Sequence, residues 1–326
     1  MNFPKTDHFD GERFFNPEPA RYPGTSQRGG LLQLIRARLA GDQTVWARWP
    51  RFVENRFYPP PDGRTPSVTW IGHSSFLLCL GDMNILTDPV FSARCSPVRF
   101  AGPRRVRAPG MTIASLPRID LILLSHNHYD HMDIPALRLI RRRFPEARII
   151  TSLGNAAFLA RKNLHCAVEL DWWEHSSIGP LRVTATPARH FAARTLWDRN
   201  ETLWAGFMLD YQNRRVYFAG DTGYTSYFTD IYQRLGAPDL ALLPIGAYQP
   251  REMMASVHMD PEEAVQAFLD LHAHRAVGMH FGTFQLTGEP IDEPPQKLRT
   301  ALAAKAIPPE RFFVLDVGET TALSPF

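Results

Sequence analysis

The sequence predicts an α/β or α+β domain that is layered around sizeable β-sheets. From about residue 67, short apolar segments rich in Val, Ile, Leu and Phe recur between Gly, Pro and Asp, which is typical of strands. The earliest segments are spaced like hairpins, and helical patterns interrupt the later ones. No linker or clear repeat divides the 326 residues, so we expect an N-terminal extension (residues 1–65) and one large domain (residues 66–326).

The predicted strands are, in chain order, SVTWIGH, SFLLCL, MNILTD, DLILLS, ARIITS, LRVTATP, LWAGFMLD, RRVYFAGD, DLALLP, RAVGMH and RFFVLDV. Helices are predicted from Ile134 to Phe144, from Asp260 onward, and from Pro294 to Ala304. The second helix has the clearest start, because an Asp N-cap is followed by Pro at the first helical position and Glu at the third.

Residues 1 to about 65 are rich in Pro, Arg and aromatic side chains and show little periodicity. One short helix is predicted from Gly30 to Leu39, with an apolar face formed by Leu31, Leu34, Ile35 and Leu39. Such a helix either packs on the protein's own core or lies on a membrane surface, and its short apolar face does not decide between them.

The net charge of +3 is too small to indicate nucleic-acid binding. No apolar run approaches the length that spans a bilayer, and the start MNFPKTDHFDGERFF lacks the apolar stretch of a signal peptide, so we expect a cytoplasmic protein. The Arg-rich segment FSARCSPVRFAGPRRVRAPG is either a solvated loop or a surface that faces phosphate groups. The second interpretation predicts peripheral contact with a membrane.

The stretch SHNHYDHMD, directly after the strand DLILLS, concentrates metal-binding side chains. Its candidate ligands are His126, His128, Asp130 and His131, and imidazole and carboxylate suit Zn²⁺ and similar ions. One ion rarely needs four ligands from six residues, so the density favours two ions that take further ligands from elsewhere.

Candidates for the remaining ligands stand at the ends of three predicted strands, where active sites commonly gather: His190, Asp221 and His280. Taken singly, each has a structural explanation, since a lone His is usually hydrogen-bonded and a lone Asp in a Gly turn usually caps that turn. The set as a whole favours a metal site.

This pattern of HxHxDH followed by His, Asp and His resembles the metallo-β-lactamase superfamily. The resemblance implies an αββα sandwich of two mixed β-sheets flanked by helices. It also implies two metal ions per chain, expected to be Zn²⁺, although Fe or Mn suits the same ligands. One ion would be held by His126, His128 and His190, the other by Asp130, His131 and His280, with Asp221 bridging them.

Longer motifs narrow the resemblance to the family of N-acylphosphatidylethanolamine-hydrolysing phospholipase D. They include ELDWWE, FAGDTGY, PIGAYQPR, HMDPEEAV and MHFGTFQL, and the resemblance runs from about Ser67 to the C-terminus. The Gln-His pair that this family associates with substrate reads Val257-His258 here. The family also implies a homodimer.

Further roles are predicted around the metal ligands. Asp130 would orient the nucleophile and shuttle its proton, and His258 would contact substrate or protonate the leaving group, unless it only packs at a helix start. His73 and Asp88 would support ligands from behind. The remaining candidates for substrate contact are Arg194, Tyr224, Tyr248 and Phe284.

The expected activity is a phosphodiesterase of the phospholipase D type, which would convert N-acylphosphatidylethanolamine to N-acylethanolamine and phosphatidic acid. The alternative is a soluble hydrolase of the same fold that acts on a lactone, a thioester or a small phosphodiester, because one fold supports many chemistries. A non-enzymatic binding protein is disfavoured, since it would not need the full ligand set.

Overall fold

The strands form two mixed β-sheets of seven strands each. The structure is a computed structural model that describes residues 3–19, 65–165 and 167–323. The first sheet has the order β14-β1-β2-β3-β4-β5-β6. Its strands are β1 (Ser67–Gly72), β2 (Ser75–Leu80), β3 (Met83–Thr87), β4 (Leu121–Leu124), β5 (Arg148–Ser152), β6 (Ala167–Leu170) and β14 (Thr320–Ala322).

The second sheet has the order β13-β12-β11-β10-β9-β8-β7. Its strands are β7 (His175–Ile178), β8 (Leu181–Thr186), β9 (Gly206–Tyr211), β10 (Arg214–Phe218), β11 (Leu240–Pro244), β12 (Arg275–Met279) and β13 (Phe312–Phe313). In both sheets the early strands are antiparallel, and parallel strands follow from β3 to β6 and from β10 to β13. Since parallel strands end at the same edge, the loops after them gather there.

The main apolar core lies between the sheets, where Trp70 and Phe76 of the first share a cluster with Phe207 and Leu209 of the second. A second core covers the outer face of the first sheet. There Leu77 packs with residues of helix α1 (Ile134–Arg143) and of the region around α2 (Asn155–Ala160). Neighbouring strand residues such as 76 and 77 therefore serve opposite faces, as the two-residue period of a strand requires.

The remaining α-helices follow in the second half of the chain: α3 (Tyr227–Leu235), α4 (Arg251–Met254), α5 (Pro261–Asp270) and α6 (Glu293–Ala304). A 3-10 helix covers Ile113–Ser115. Helix α5 packs against both β11 and α6. Helices outside two stacked sheets confirm the αββα sandwich that the resemblance implied.

The predicted strands and all three predicted helices within the described residues are present, although RFFVLDV contributes only the two residues of β13. Strands β6, β7 and β14 were not predicted, because they are short and β7 and β14 expose part of nearly every side chain. Helices α2, α3 and α4 were also missed. The predicted helix from Gly30 to Leu39 lies outside the described residues.

The described part of the N-terminal extension packs on the large domain. Phe9 and Phe14 are 4% and 1% exposed and belong to the core between the sheets. Among the helices of the described ranges, none is long and apolar enough to cross a membrane.

The start of α5 offers a test of the predicted N-cap. Asp260 accepts a hydrogen bond from the Glu263 backbone N–H (2.9 Å), and Asp260→Ala should lower the free energy of unfolding by about 1 kcal/mol. Asp260→Asn keeps an acceptor and should retain most of the stability. Urea denaturation followed by circular dichroism measures both, and an unchanged midpoint for Asp260→Ala would contradict the capping role.

Candidate metal centre

The loop between β4 and α1, which we call the metal loop (Ser125 to Asp133), is fixed at both ends. Ser125 donates through its backbone N–H (2.8 Å) and its hydroxyl (2.6 Å) to the buried carboxylate of Asp88. At the other end Asp133 caps α1 by accepting from the Ala136 backbone N–H (3.1 Å), and it also accepts from Phe91 and Ser92. This anchoring holds the HxHxDH side chains in one orientation.

The other candidate ligands arrive from the ends of strands in the second sheet. His190 follows β8, Asp221 follows β10 after Ala219 and Gly220, and His280 follows β12 directly. Gly220 has a φ of 60°, and a Cβ there would lie 2.8 Å from Cβ of Ser125. Only glycine therefore fits where the Asp221 turn passes the metal loop.

The structure brings all seven predicted ligands into one cluster. His126, His128, His190 and Asp221 form a first group, whose ligand atoms all lie within 4.8 Å of one another. His73, Asp130, His131 and His280 form a second group by the same measure.

Asp221 lies between the two groups. Its Oδ2 is 3.0 Å from Nε2 of His131 and of His280, and 3.7 Å from Nε2 of His190. Nε2 of His126 is 4.0 Å away. One carboxylate thus faces imidazoles of both groups, which is the position of a bridging ligand.

The candidate histidine ligands differ in pKa, because burial and neighbouring charges act on them to different extents. Burial lowers the pKa of His128 to about 4 and the pKa of His126 and His190 well below the usual value, so these rings are neutral, as metal ligation requires. Burial acts in the same direction on His280, but the carboxylates of Asp221 and Asp130 outweigh it and raise that pKa to about 9.

Several buried atoms in the cluster make no hydrogen bond of good geometry among the described residues: Nε2 of His131, both ring nitrogens of His280 and Oδ1 of Asp221. The two Nε2 atoms lie 3.0 Å from Oδ2 of Asp221 but are not aligned for a hydrogen bond. Buried polar atoms are costly without a partner. A divalent cation would satisfy those atoms that face the cluster centre, and imidazole with carboxylate is a donor set that suits Zn²⁺, Fe²⁺ or Mn²⁺. The residues therefore fit metal ions.

Outer partners orient the candidate ligands. Nδ1 of His131 lies 2.6 Å from Oδ2 of Asp88, and Nδ1 of His190 lies 2.9 Å from the carbonyl oxygen of Val257. In both rings the Nδ1 contact leaves Nε2 directed at the cluster. Asp88 thus occupies the supporting place that the sequence suggested.

His73 lies closer to the centre than the sequence suggested. Its Nε2 is 3.0 Å from Oδ2 of Asp130, and its ring centroid is 4.1 Å from that of His280. The side chain stands among the donor atoms of the second group instead of behind them, and His73 occupies a tight turn with a φ of 56°.

His258 also faces the cluster. The side chain is buried, and its ring centroid lies 5.0 Å from that of His190 and 5.2 Å from that of His280. Burial lowers the pKa of His258 to about 3, so the ring is neutral and can both donate and accept a hydrogen bond.

The other four candidates for substrate contact each have partners within the fold. Arg194 donates to the carbonyl oxygens of Asn127 (2.6 Å) and Met132 (3.0 Å), so it braces the metal loop from outside. Phe284 packs edge-on against His73 at 5.4 Å.

The two tyrosines point into the helix layer. The hydroxyl of Tyr224 donates to Asp270 of α5 (2.6 Å), and that of Tyr248 donates to Glu293 of α6 (2.7 Å). Tyr248 is also fully buried. Their hydroxyls are bound to helix carboxylates, which places Tyr224 and Tyr248 in packing instead of at the metal groups.

A groove of about 610 Å³ runs beside the metal loop, and the sequence did not predict it. Tyr129 and Met132 of the loop line one side. The basic side chains along it are Arg94, Arg99, Arg138, Lys162 and Arg194. Not every arginine of the Arg-rich segment lines the groove. Arg105 is buried and donates to the carbonyl oxygens of Val90 and Ser92.

The profile described as "Beta-lactamase superfamily domain" matches residues 83–281, which is more than half of the chain. The chain belongs to the beta-lactamase superfamily. Within this superfamily it is 37% identical, over 77% of its length and 74% of the relative's, to "N-acyl-phosphatidylethanolamine-hydrolyzing phospholipase D 1" of Caenorhabditis elegans. It is 42% identical, over 74% of its length, to an uncharacterized protein of Mycobacterium tuberculosis.

The chain spans about 65% of that mycobacterial relative's length. Among solved structures, a metallo hydrolase from Ignicoccus hospitalis matches with a TM-score of 0.60 at 25% identity, covering 79% of this chain and 97% of that one. An isothiocyanate hydrolase from Delia radicum gut bacteria matches with a TM-score of 0.64 at 19% identity, covering 78% and 98%, which shows the superfamily fold alone.

The central position of Asp221 generates a test. Asp221→Asn keeps the size of the side chain but removes its charge. Changes to outer partners of metal ligands typically cost 10–100-fold, so loss of a carboxylate shared by both groups should lower metal-dependent turnover more than about 100-fold.

The chain should stay folded by circular dichroism, because the substitution leaves the packing unchanged. His175→Ala, in the exposed strand β7, is the matched control and should keep full turnover. Normal turnover of Asp221→Asn would remove Asp221 as the bridge.

Proposed function

We propose that this chain is a metal-dependent hydrolase that uses two divalent ions, expected to be Zn²⁺, with Fe or Mn as the alternatives. The observation that carries the proposal is the position of Asp221 between two groups of buried metal-binding side chains. His126, His128 and His190 would hold one ion, and Asp130, His131 and His280 would hold the other. His73 belongs to the same group of side chains as the ligands of the second ion, with its Nε2 3.0 Å from Oδ2 of Asp130.

When bound, such ions polarise the group under attack and lower the pKa of a coordinated water to about 7. The chain's own residues would position the attacking water and the substrate beside the ions. Oδ2 of Asp130 lies 3.0 Å from His73 and 3.4 Å from His280. Burial would raise the pKa of Asp130, but His131 and its other neighbours outweigh burial and hold the carboxyl ionised. It can therefore accept a hydrogen bond from the attacking water.

His258 would bind the substrate from the side of the cluster formed by His190 and His280. As a neutral ring it can donate a hydrogen bond to a phosphoryl or leaving-group oxygen. Its buried Nδ1 has no partner among the described residues, which leaves that atom available to the substrate.

We further propose that the substrate is a phosphodiester of the N-acylphosphatidylethanolamine type. Hydrolysis would break the bond between phosphorus and the ethanolamine oxygen, and water would supply oxygen to phosphatidic acid and a proton to N-acylethanolamine. Two observations support this reaction class: the 37% identity to the Caenorhabditis elegans phospholipase D and the basic groove beside the metal loop. A neutral lactone would not need such a groove.

The groove also supports peripheral contact with a membrane. Phe100, Leu196 and Trp197 are 84%, 78% and 82% exposed, and they are next in sequence to the groove-lining residues Arg99, Thr195 and Asp198. Aromatic side chains at an interface combine with arginines to bind anionic lipid surfaces. The homodimer implied by the family resemblance and the cytoplasmic location expected from the sequence stay predictions.

The proposed activity is tested on one purified sample. Elemental analysis should find about two metal ions per chain, and mixed micelles of N-acylphosphatidylethanolamine should release phosphatidic acid in a chelator-sensitive manner. Two ions without release would overturn the phospholipid substrate and favour the lactone, thioester or small-phosphodiester alternative. Absence of bound metal would overturn the hydrolase itself.

Membrane contact is tested by Trp197→Ala. Loss of one large apolar side chain from the contact should weaken binding to vesicles of phosphatidylglycerol by about 10-fold in a co-sedimentation assay. Leu269→Ala removes a partly exposed apolar side chain from α5 and should bind like the wild type. Equal binding of all three proteins would contradict this docking face.

A further inference from the structure

A short N-terminal segment, which we call the strap (residues 3–19), reaches the loop that carries His190. Asn16 donates from Nδ2 to the carbonyl oxygen of His190 (2.8 Å). Two residues later, the Glu18 carbonyl oxygen accepts from Nη1 of Arg189 (2.9 Å). The strap therefore contacts the main chain of a candidate metal ligand and the side chain of the residue before it.

Buried side chains of the strap hold it firmly against the domain. His8 is 5% exposed, its ring stacks on Trp172 with centroids 4.3 Å apart, and its Nε2 lies 2.7 Å from Oδ1 of Asp171. The backbone N–H of Phe14 donates to the carbonyl oxygen of Asn200 (2.9 Å). With Phe9 and Phe14 in the core, the position of Asn16 is set by packing and not by its own hydrogen bond.

His190 is consequently held from two directions. Its ring is oriented by Nδ1, which lies 2.9 Å from the Val257 carbonyl oxygen. Its main chain is held by Asn16, on a segment distant in sequence. The preceding Arg189 is also fixed, because its backbone N–H donates to Oγ1 of Thr222 (2.9 Å), next to Asp221.

We propose that Asn16 is a positioning residue for the first metal group, and that the strap is part of the metal centre and not only a cover for the fold. Asn16 touches neither metal nor substrate and acts through the His190 peptide. This inference rests on the proposed two-metal function, and it assigns an active-site role to a segment before the superfamily match at residue 83.

The inference is tested with the full chain and Zn²⁺ alone, by stepwise titration against a chromophoric chelator. Asn16→Ala should weaken one of the two binding steps by about 10-fold, at the lower end of the range for outer partners of ligands, and leave the other unchanged. Asn16→Asp should weaken the same step, because a carboxylate cannot donate to the His190 carbonyl. Added negative charge alone would strengthen cation binding, so weakening by both variants would identify the lost hydrogen bond.

Two controls separate positioning from general damage. Glu12→Ala lies on the exposed part of the strap and should titrate like the wild type. His128→Ala removes a ligand of the first group, and in that background Asn16→Ala should have no further effect on the ion that remains.

Three outcomes would overturn the inference: unchanged Zn²⁺ affinity in Asn16→Ala, equal weakening of both steps, or a loss that persists in the His128→Ala background. Failure of the phospholipase proposal is distinguishable, since it would show as absent release of phosphatidic acid by a chain with two normal Zn²⁺ steps. A wild-type chain that binds no Zn²⁺ would overturn both proposals.

Discussion

The buried carboxylate of Asp221 is the constraint on which the rest of the site depends. Its side chain is only 2% exposed, and an ionised group in such a place costs several kcal/mol unless opposite charge surrounds it. Burial would raise the pKa of Asp221, but the imidazoles of His131 and His280 outweigh it and hold the pKa well below the usual value. The cluster is thus built for positive charge at its centre, whether protons or metal ions supply it. The glycine at position 220 follows from this constraint, because the turn that delivers Asp221 leaves no room for a side chain.

Much of the fold could be predicted from the sequence, because strands that bury one or both faces have recognisable apolar runs. Edge strands such as His175–Ile178 do not, since polar residues satisfy a half-exposed edge equally well. The clustering of the seven candidate ligands could also be predicted, because strand ends gather at one edge whatever the details of the loops. The roles of Tyr224 and Tyr248 could not, because a motif fixes where a residue stands in the chain but not the side of the loop to which its side chain points. Carbonyl partners such as those of Arg194 leave no trace in a sequence either.

The arginines show how one composition signal can hold two physical roles. The side chains of Arg105 and Arg194 are largely buried, and their guanidinium groups donate hydrogen bonds to backbone carbonyl oxygens. These bonds stabilise the loops beside the cluster of candidate ligands. Arg99 is exposed and lines the groove, where its charge is available to an anionic ligand. The carbonyl-binding arginines hold the surface loops in place, and the exposed arginine charge makes the groove positive. A basic groove of defined shape therefore arises next to the cluster without a large net charge on the whole chain.

The two sheets share one pattern of strand directions, with antiparallel pairs followed by parallel ones. Strands β1 to β6 form the first sheet with β14 added at its edge, and β7 to β13 form the second. Each half brings an incomplete share of both metal groups. The first supplies His126 and His128 to one group and His73, Asp130 and His131 to the other, while His190, Asp221 and His280 come from the second. If the chain were divided between β6 and β7, neither fragment would carry a complete group of candidate ligands. Both groups would form only when the fragments recombined. The candidate site therefore forms where the two halves meet, and neither half contains it alone.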